Sequence, residues 1–194
     1  KEITTQALAQ IENNKWYKDA WSTVVYGEGW HKGVIGIVAS RLIDNYYRPT
    51  IVLTKSGDTV TGSARSIEGL DIYQCLSECT ECMIQFGGHT MAAGMTMKED
   101  QVEPFKLKFD EVVRTKIEQA QLSPVVEIDR EIGLDDINDR GYRILRQFAP
   151  FGPGNMKPVF MTKDLVNVKW SRAVGDEGAH LKLHVRQLDS KMPE

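Results

Sequence analysis

Apolar and polar positions change period several times along the chain, and each change marks an element. From Gly33, apolar residues at 35, 38, 42, 43 and 46 recur at helical spacing, which predicts a helix. It closes before Arg48-Pro49, because a residue preceding proline resists helical geometry. Upstream, residues 3–13 read as a helix end and "WSTVVYGE" (21–28) as a short buried strand rich in β-branched and aromatic residues. Downstream, "TIVLT" (50–54), the turn "SGD" (56–58) and "TVTGSARS" (59–66) predict a hairpin. "DIYQCLSECTECMIQF" carries apolar or cysteine residues at 72, 75, 76, 79, 82, 83 and 86, a continuous helical stripe capped by Asp71. After a glycine–histidine turn, "MAAGMTM" alternates like a strand, and positions 102, 105, 109, 112, 113 and 117 predict an amphipathic helix to about residue 119. Helices and strands thus alternate, which argues for a mixed α/β layer.

The pattern shifts near "QAQLSP" (119–124), dividing the chain into an α/β domain over 1–120 and a small β-rich unit over 121–194. In the second unit "VVEIDREI" reads as a strand, "YRILRQF" as a short helix and "APFGPGN" as a turn. Strand-like runs follow at 158–162, 165–170 and 180–186.

Composition narrows the function. The 194 residues are 41% hydrophobic, enough to bury a core, and the formal net charge is −3 with a pI near 5.9. A surface that is wholly a nucleic-acid glove is excluded, so any polyanion site must be local. No run of 18 apolar residues exists and the start "KEITTQALAQ" lacks the build of a secretory signal. The chain reads as cytoplasmic, without a membrane partner, and as a piece of a longer protein. Cys75, Cys79 and Cys82 are spaced C-x3-C-x2-C, a spacing iron–sulfur enzymes also use. On one continuous helix, however, three sulfurs strung over about 10 Å converge poorly on a cluster and behave better as small core residues.

Three stretches carry chemistry. In "GSARS" (62–66) Ser63 and Arg65 share a strand face across Ala64. A guanidinium and a neighbouring hydroxyl suit a phosphate, although pairing of Arg65 with a surface carboxylate fits the same spacing. "GEGWHKGVIGIVASR" sets His31, Lys32 and Gly33 at a helix opening whose first amides are free for an anion. Gly33, Gly36 and Ser40 line one side with Arg41 beside them, and close helix-to-sheet packing explains these small residues equally well. "FGGHTMAAG" (86–94) has Gly87 and Gly88 freeing a turn to form an anion nest, and His89 presented from that turn as donor or acid. A purely structural histidine is the competing reading. The four histidines (31, 89, 180, 184) do not cluster with aspartates, and no Walker glycine loop, nucleophile elbow or H-E-x-x-H motif is present. No metal ligands are assigned in this chain.

Taken together and in this order, "WHKGVIGIVASR", "GSARS" and "FGGHTMAAG" closely resemble the DHHA1 domain of the DHH phosphoesterases, in their single-strand-specific exonuclease branch. "FAPFGPGNMKPVF" followed by "HLKL" resembles the start of the OB-fold domain that comes next in that branch. The resemblance implies a DHHA1-type mixed sheet with helices followed by a partial OB fold. It also implies a parent enzyme that degrades single-stranded DNA from the 5′ end in recombination and repair. Mn²⁺ or Mg²⁺ would be held by an N-terminal DHH domain, with no cofactor in this chain, whose partners would be single-stranded DNA and that DHH domain. Arg41, Ser63 and Arg65 match family positions that grip DNA phosphates, and His89 of the Gly87-Gly88-His89 motif matches the one approaching the scissile phosphate. His31 lies in a family motif and joins the same substrate-binding set. Such a piece would bind nucleic acid but not cleave it alone. The alternatives are the corresponding domain of an oligoribonuclease or cyclic-dinucleotide phosphodiesterase, and a binding module that never catalyses. In the second unit Phe160, Lys169, Trp170, Arg172 and Lys182 are candidates for a single-strand groove, or else barrel core and ordinary surface.

Overall fold

In the computed structural model, which describes residues 2–188, the first unit runs to Pro124 and the second starts at Val125. Helix α1 (Glu2–Asn13) buries Ala7 and Ile11, and β1 (Thr23–Gly27) follows. Next come α2 (Ile35–Tyr46), β2 (Thr50–Ser56) and β3 (Thr59–Arg65). Tyr47 ends α2 in the left-handed region, its N–H donating to the Ile43 carbonyl, just ahead of the Arg48-Pro49 step that forbids continuation. Then come α3 (Ile72–Ser77), β4 (Gln85–His89), β5 (Ala92–Met97) and α4 (Val102–Lys116). The five strands form one sheet in the order β1-β2-β3-β5-β4, with β1 parallel to β2 and every other pair antiparallel.

Two apolar clusters sandwich this sheet unequally. On one face Val25 and Val52 pack with Ala7 and Ile11 of α1 and Val38, Ala39 and Leu42 of α2. On the other, Ile51, Leu53, Val60, Ala64, Met95 and Met97 pack with Leu76 of α3 and Phe105 and Phe109 of α4. Strand β2 is therefore buried on both sides, whereas β3 alternates buried and half-buried positions. Asp110 of α4 ties the layers together. Its carboxylate accepts from the N–H groups of Trp21 and Ser22 and from the Ser22 hydroxyl, each at 2.8 Å, and from Arg114 Nε at 2.8 Å. Nearby, Arg48 Nη1 donates to the carbonyls of Tyr17 and Ala20, and the buried Lys106 lies over the rings of Trp16 and Tyr17.

Three expectations change. The cysteine helix is not continuous: α3 stops at Ser77, where the Glu78 N–H caps the carbonyls of Cys75 and Leu76, and Thr80–Cys82 form a separate 3₁₀ turn. The chain must bend there to enter the sheet as its edge strand β4. Asp71 does cap α3, accepting from the Gln74 N–H at 3.1 Å, and all three sulfurs are buried in the core. Burial pushes the Cys75 thiol up to about 11 and the Cys79 thiol up to about 12. Secondly, Gly87 and Gly88 lie inside β4 rather than in a turn, and the reversal falls at Thr90-Met91. Thirdly, α4 closes at Lys116, short of residue 119.

Among its described residues the second unit is thinly packed, with none fully buried. Its helix α5 (Asp139–Arg146) is capped by Asn138, which accepts from the Gly141 N–H. Six short strands pair as β6 (Arg130–Glu131) with β7 (Phe160–Met161), β8 (Leu165–Asn167) with β11 (Val185–Gln187), and β9 (Arg172–Val174) with β10 (His180–Lys182). "VVEIDREI" thus shrinks to Arg130–Glu131, and the run 180–186 divides in two. Residues 189–194 of the expected second unit lie outside the described residues.

Asp110→Ala is expected to destabilise the chain by about 3 kcal/mol in urea unfolding, since it strands the buried Ser22 amide, the part-buried Trp21 amide and a guanidinium. The cysteines yield a pH prediction. Folding holds these thiols neutral, so stability is fully present below the ordinary thiol range and falls as pH rises through it, where the unfolded chain sheds protons first. Thiol alkylation at pH 8 is expected to be slow in the native chain and rapid for all three cysteines in denaturant; fast native labelling would contradict their burial.

Candidate nucleic-acid interface

Strand register decides which side chains meet. Arg65 pairs with Ala92, and Ala92 pairs with His89. These three residues form one row across β3, β5 and β4, and paired residues project from the same face of a sheet. Ser63, Gly94 and Gly87 make the next row, and Thr61, Thr96 and Gln85 the third. Helices α1 and α2 cover this face over β1 and β2, while the rows are half-buried or exposed. The result is a flat floor with a cation at one side, an imidazole at the other and only alanine and glycine between. Arg65 and His89 stand two strands apart, about 10 Å between backbones.

Arg65 is held but not neutralised. Its Nη1 donates to Ser63 Oγ at 3.0 Å and to the Ala64 carbonyl at 2.8 Å, and no carboxylate pairs with it among the described residues. The carboxylate-paired alternative is thereby set aside. Helix α2 walls this side of the floor. A Cβ on Gly36 would sit 2.7 Å from Arg65 Nη2 and 3.1 Å from Ser63 Oγ, so glycine is what lets the guanidinium lie against the helix. Val34 caps α2 without a side-chain bond, and the amides of Ile35, Gly36 and Ile37 have no acceptor among the described residues. Free amides at a helix start next to an unpaired guanidinium make a local positive field in an acidic chain.

His89 is exposed at the end of β4, and its Nδ1 accepts from the Met91 N–H at 3.3 Å. In the neutral ring this leaves the proton on Nε2, directed away from the turn. The turn itself is anchored. Ile72 N–H donates to the Thr90 carbonyl at 3.0 Å, Ser66 N–H to the Met91 carbonyl at 2.9 Å, and Thr90 Oγ1 to Asp71 Oδ2 at 3.4 Å.

The two glycines before His89 differ in what they do. A Cβ on Gly88 would fall 2.3 Å from the Ala92 carbonyl oxygen and 2.5 Å from Ala93 Cα, so Gly88 permits the close approach of β4 to β5. A Cβ on Gly87 would meet nothing within 4 Å, and on Gly94 only the Gly62 carbonyl at 3.8 Å. The chain's own packing does not require glycine at either position, and what their absence of side chain protects is the space above the sheet.

Two expected site residues are not gathered by this geometry. Arg41 is exposed on α2, but five residues beyond Gly36 it lies about 140° around the helix from the edge that meets Arg65. Its guanidinium has no hydrogen bond or ion pair among the described residues. His31 shapes the turn before α2, its Nδ1 accepting from the Gly33 N–H at 3.1 Å. It lines a cleft of about 460 Å³ with Glu2, Gln6 and Gln10 of α1. The free amides at the start of α2 were foreseen from the sequence, whereas sequence reasoning missed the third row. The polar alternation Thr59, Thr61, Ser63, Arg65 signalled one of its three members, Thr61; the other two depend on pairing between distant segments.

In the second unit, Lys169, Trp170, Arg172 and Lys182 join Ser171 and His184 around a hollow of about 310 Å³. Trp170 is 73% exposed and is no core residue. Phe160, on β7, is outside this group. Five donors or cations thus surround one exposed indole.

Comparison with known proteins places both units. The DHHA1 domain family matches residues 19–115 and the RecJ OB domain family residues 128–193. The chain is 35% identical over 193 residues to the single-stranded-DNA-specific exonuclease RecJ of Bacillus subtilis, covering 98% of this chain and 24% of that protein. It is 33% identical over 169 residues to RecJ of Escherichia coli, covering 84% of this chain and 29% of the relative. The structure of Thermus thermophilus RecJ in complex with Mn²⁺ superposes with a TM-score of 0.73 at 25% identity, over 97% of this chain and 29% of that one. The chain therefore spans about a quarter of the length of the curated relatives it matches.

Proposed function

The chain belongs to the DHHA1 domain family, continued by a RecJ OB domain, and from that premise we propose that it grips the substrate in a 5′-to-3′ single-stranded-DNA exonuclease. The observation that carries this reading is the row Arg65–Ala92–His89 on a floor cleared of side chains. A phosphodiester entering the floor meets the Arg65 fork, the Ser63 hydroxyl and the free amides of α2 on one side. On the other it meets His89 Nε2–H, which donates to a phosphate oxygen or to the departing 3′ oxygen as the bond to phosphorus breaks. The small residues let the sugar–phosphate chain lie against the sheet. Gly88 serves the same site indirectly by seating β4. Arg41 and His31 belong to the proposed binding set at its periphery, reaching the nucleic acid from α2 and from the turn before it. The hollow at Trp170 would stack bases while Lys169, Arg172 and Lys182 follow the backbone.

Hydrolysis also needs an activated water. Among the described residues no group of three or more His, Cys, Asp or Glu is arranged to hold a metal ion, so no metal step is assigned to this chain. In the proposed enzyme the Mn²⁺ or Mg²⁺ is held by a DHH domain in the same protein, across a cleft from the floor. The OB match favours this reading over an oligoribonuclease or cyclic-dinucleotide phosphodiesterase, whose DHHA1 domains generally lack that appended unit.

Arg65→Ala is expected to weaken binding of single-stranded oligonucleotides of every sequence alike and to reduce the salt slope by about 0.7, one phosphate contact. Gly94→Val separates binding from folding: thermal stability should hold or rise by up to about 1 kcal/mol, while affinity drops at least tenfold. Wild-type affinity in both variants would remove the site from this face. The chain alone with Mn²⁺ should leave 5′-labelled single-stranded DNA intact; efficient metal-dependent cleavage would overturn the division of labour.

A further inference from the structure

The third row of the floor has no part in the phosphate grip. Thr61, Thr96 and Gln85 are register partners on the same face as Arg65 and His89, two rows further along the strands, or about 13 Å. The row carries no charge. Gln85 is exposed and Thr96 half-buried, and the side chains of both are without hydrogen-bond partners among the described residues. Thr61 Oγ1 makes one long bond, 3.4 Å, to the Met95 carbonyl. Between this row and the Arg65 row stand Gly94 and Gly87, where an added Cβ would meet open space or ordinary contact. A path therefore leads along the strands from a charged end to a neutral one, with nothing rising from its floor between β5 and β4.

We propose that Thr61, Thr96 and Gln85 form a second nucleotide subsite, which takes the sugar and base edge of the nucleotide adjoining the one held at Arg65 and His89. The chemistry matches the position. Two hydroxyls and a carboxamide each donate and accept, which suits the mixed donors and acceptors of sugars and base edges and offers a phosphate no charge. Arg65 with the free amides supplies the charge at the other end. The row also favours an unpaired strand, because only there is the Watson–Crick edge of a base free to meet it. This rests on the proposed function, and the test is arranged so that the failure of one can be told from the failure of the other.

The 194-residue chain is titrated by NMR with thymidine 5′-monophosphate and with the 5′-phosphorylated dinucleotide pTpT. Wild type is expected to bind the dinucleotide more tightly. Gln85→Ala with Thr96→Val should weaken the dinucleotide roughly three- to tenfold, the loss of one or two neutral hydrogen bonds, and leave the mononucleotide unchanged. Thr96→Ser, which keeps the hydroxyl, should restore part of the loss, and the exposed Gln85→Ala alone should show its share without disturbing the fold. Arg65→Ala should weaken both ligands. If the row variants leave dinucleotide affinity unchanged, or weaken both ligands equally, while Arg65→Ala still weakens both, the subsite is refuted and the phosphate grip stands. If Arg65→Ala changes neither ligand, the parent reading fails and the subsite with it.

Discussion

Half of one sheet face is left without a roof, and the rest of the molecule is organised around that fact. Strand β2 is covered on both sides, α2 reaches the edge of β3 where Gly36 meets Arg65 and Ser63, and β5 and β4 extend beyond the helices with one side open. Period-two alternation then does the sorting. Every second residue of these strands faces α3 and α4 and is apolar, while the intervening residues are serine, threonine, glycine, alanine, arginine, glutamine and histidine. An exposed face built from such residues has no apolar area to hide, so the sheet tolerates the missing layer at little cost.

Charge is placed with similar economy. The chain is acidic overall, yet the open face joins an unpaired guanidinium to the unbonded amides of a helix start. Three other cations are committed elsewhere. Arg48 is taken up by carbonyls, Arg114 by Asp110 and Lys106 by aromatic rings and Glu103. Those cations knit α4 and the 3₁₀ segment before β1 into a rigid frame. Arg65, by contrast, is braced only by neutral acceptors, so its charge stays available to a ligand.

Local patterns in the sequence were enough for the elements whose partners are close by. The period of α2 and its stop before Arg48-Pro49, the hairpin of β2 and β3, and the Asp71 cap all follow from neighbouring residues. Misreadings arose where tertiary demands override a local pattern. The stripe through Cys75, Cys79 and Cys82 is apolar at helical spacing because all three sulfurs are buried, but the helix must break at Glu78 so that β4 reaches the sheet edge. Gly87 and Gly88 suggest a turn by composition; in the structure one clears the floor and the other seats a strand. Ser63 and Arg65 were visible as a pair, whereas their alignment with Ala92 and His89 is fixed by a register between segments that no local period reports. The second unit was the least legible, since strands of two or three residues carry too few positions to show alternation.

Strand β4 combines two properties that soluble sheets normally keep apart. It is an edge strand, and from Gln85 to His89 it contains no lysine, proline or acidic residue. The usual guards against one sheet annealing to another are bulky or charged, and on this strand they would stand on or beside the surface that the ligand needs. Access and colloidal protection are thus mutually exclusive along this margin. In concentrated solution without a ligand, that bare margin is where self-association is expected to begin, and a bound strand or an adjoining domain that covers it would act as its chaperone.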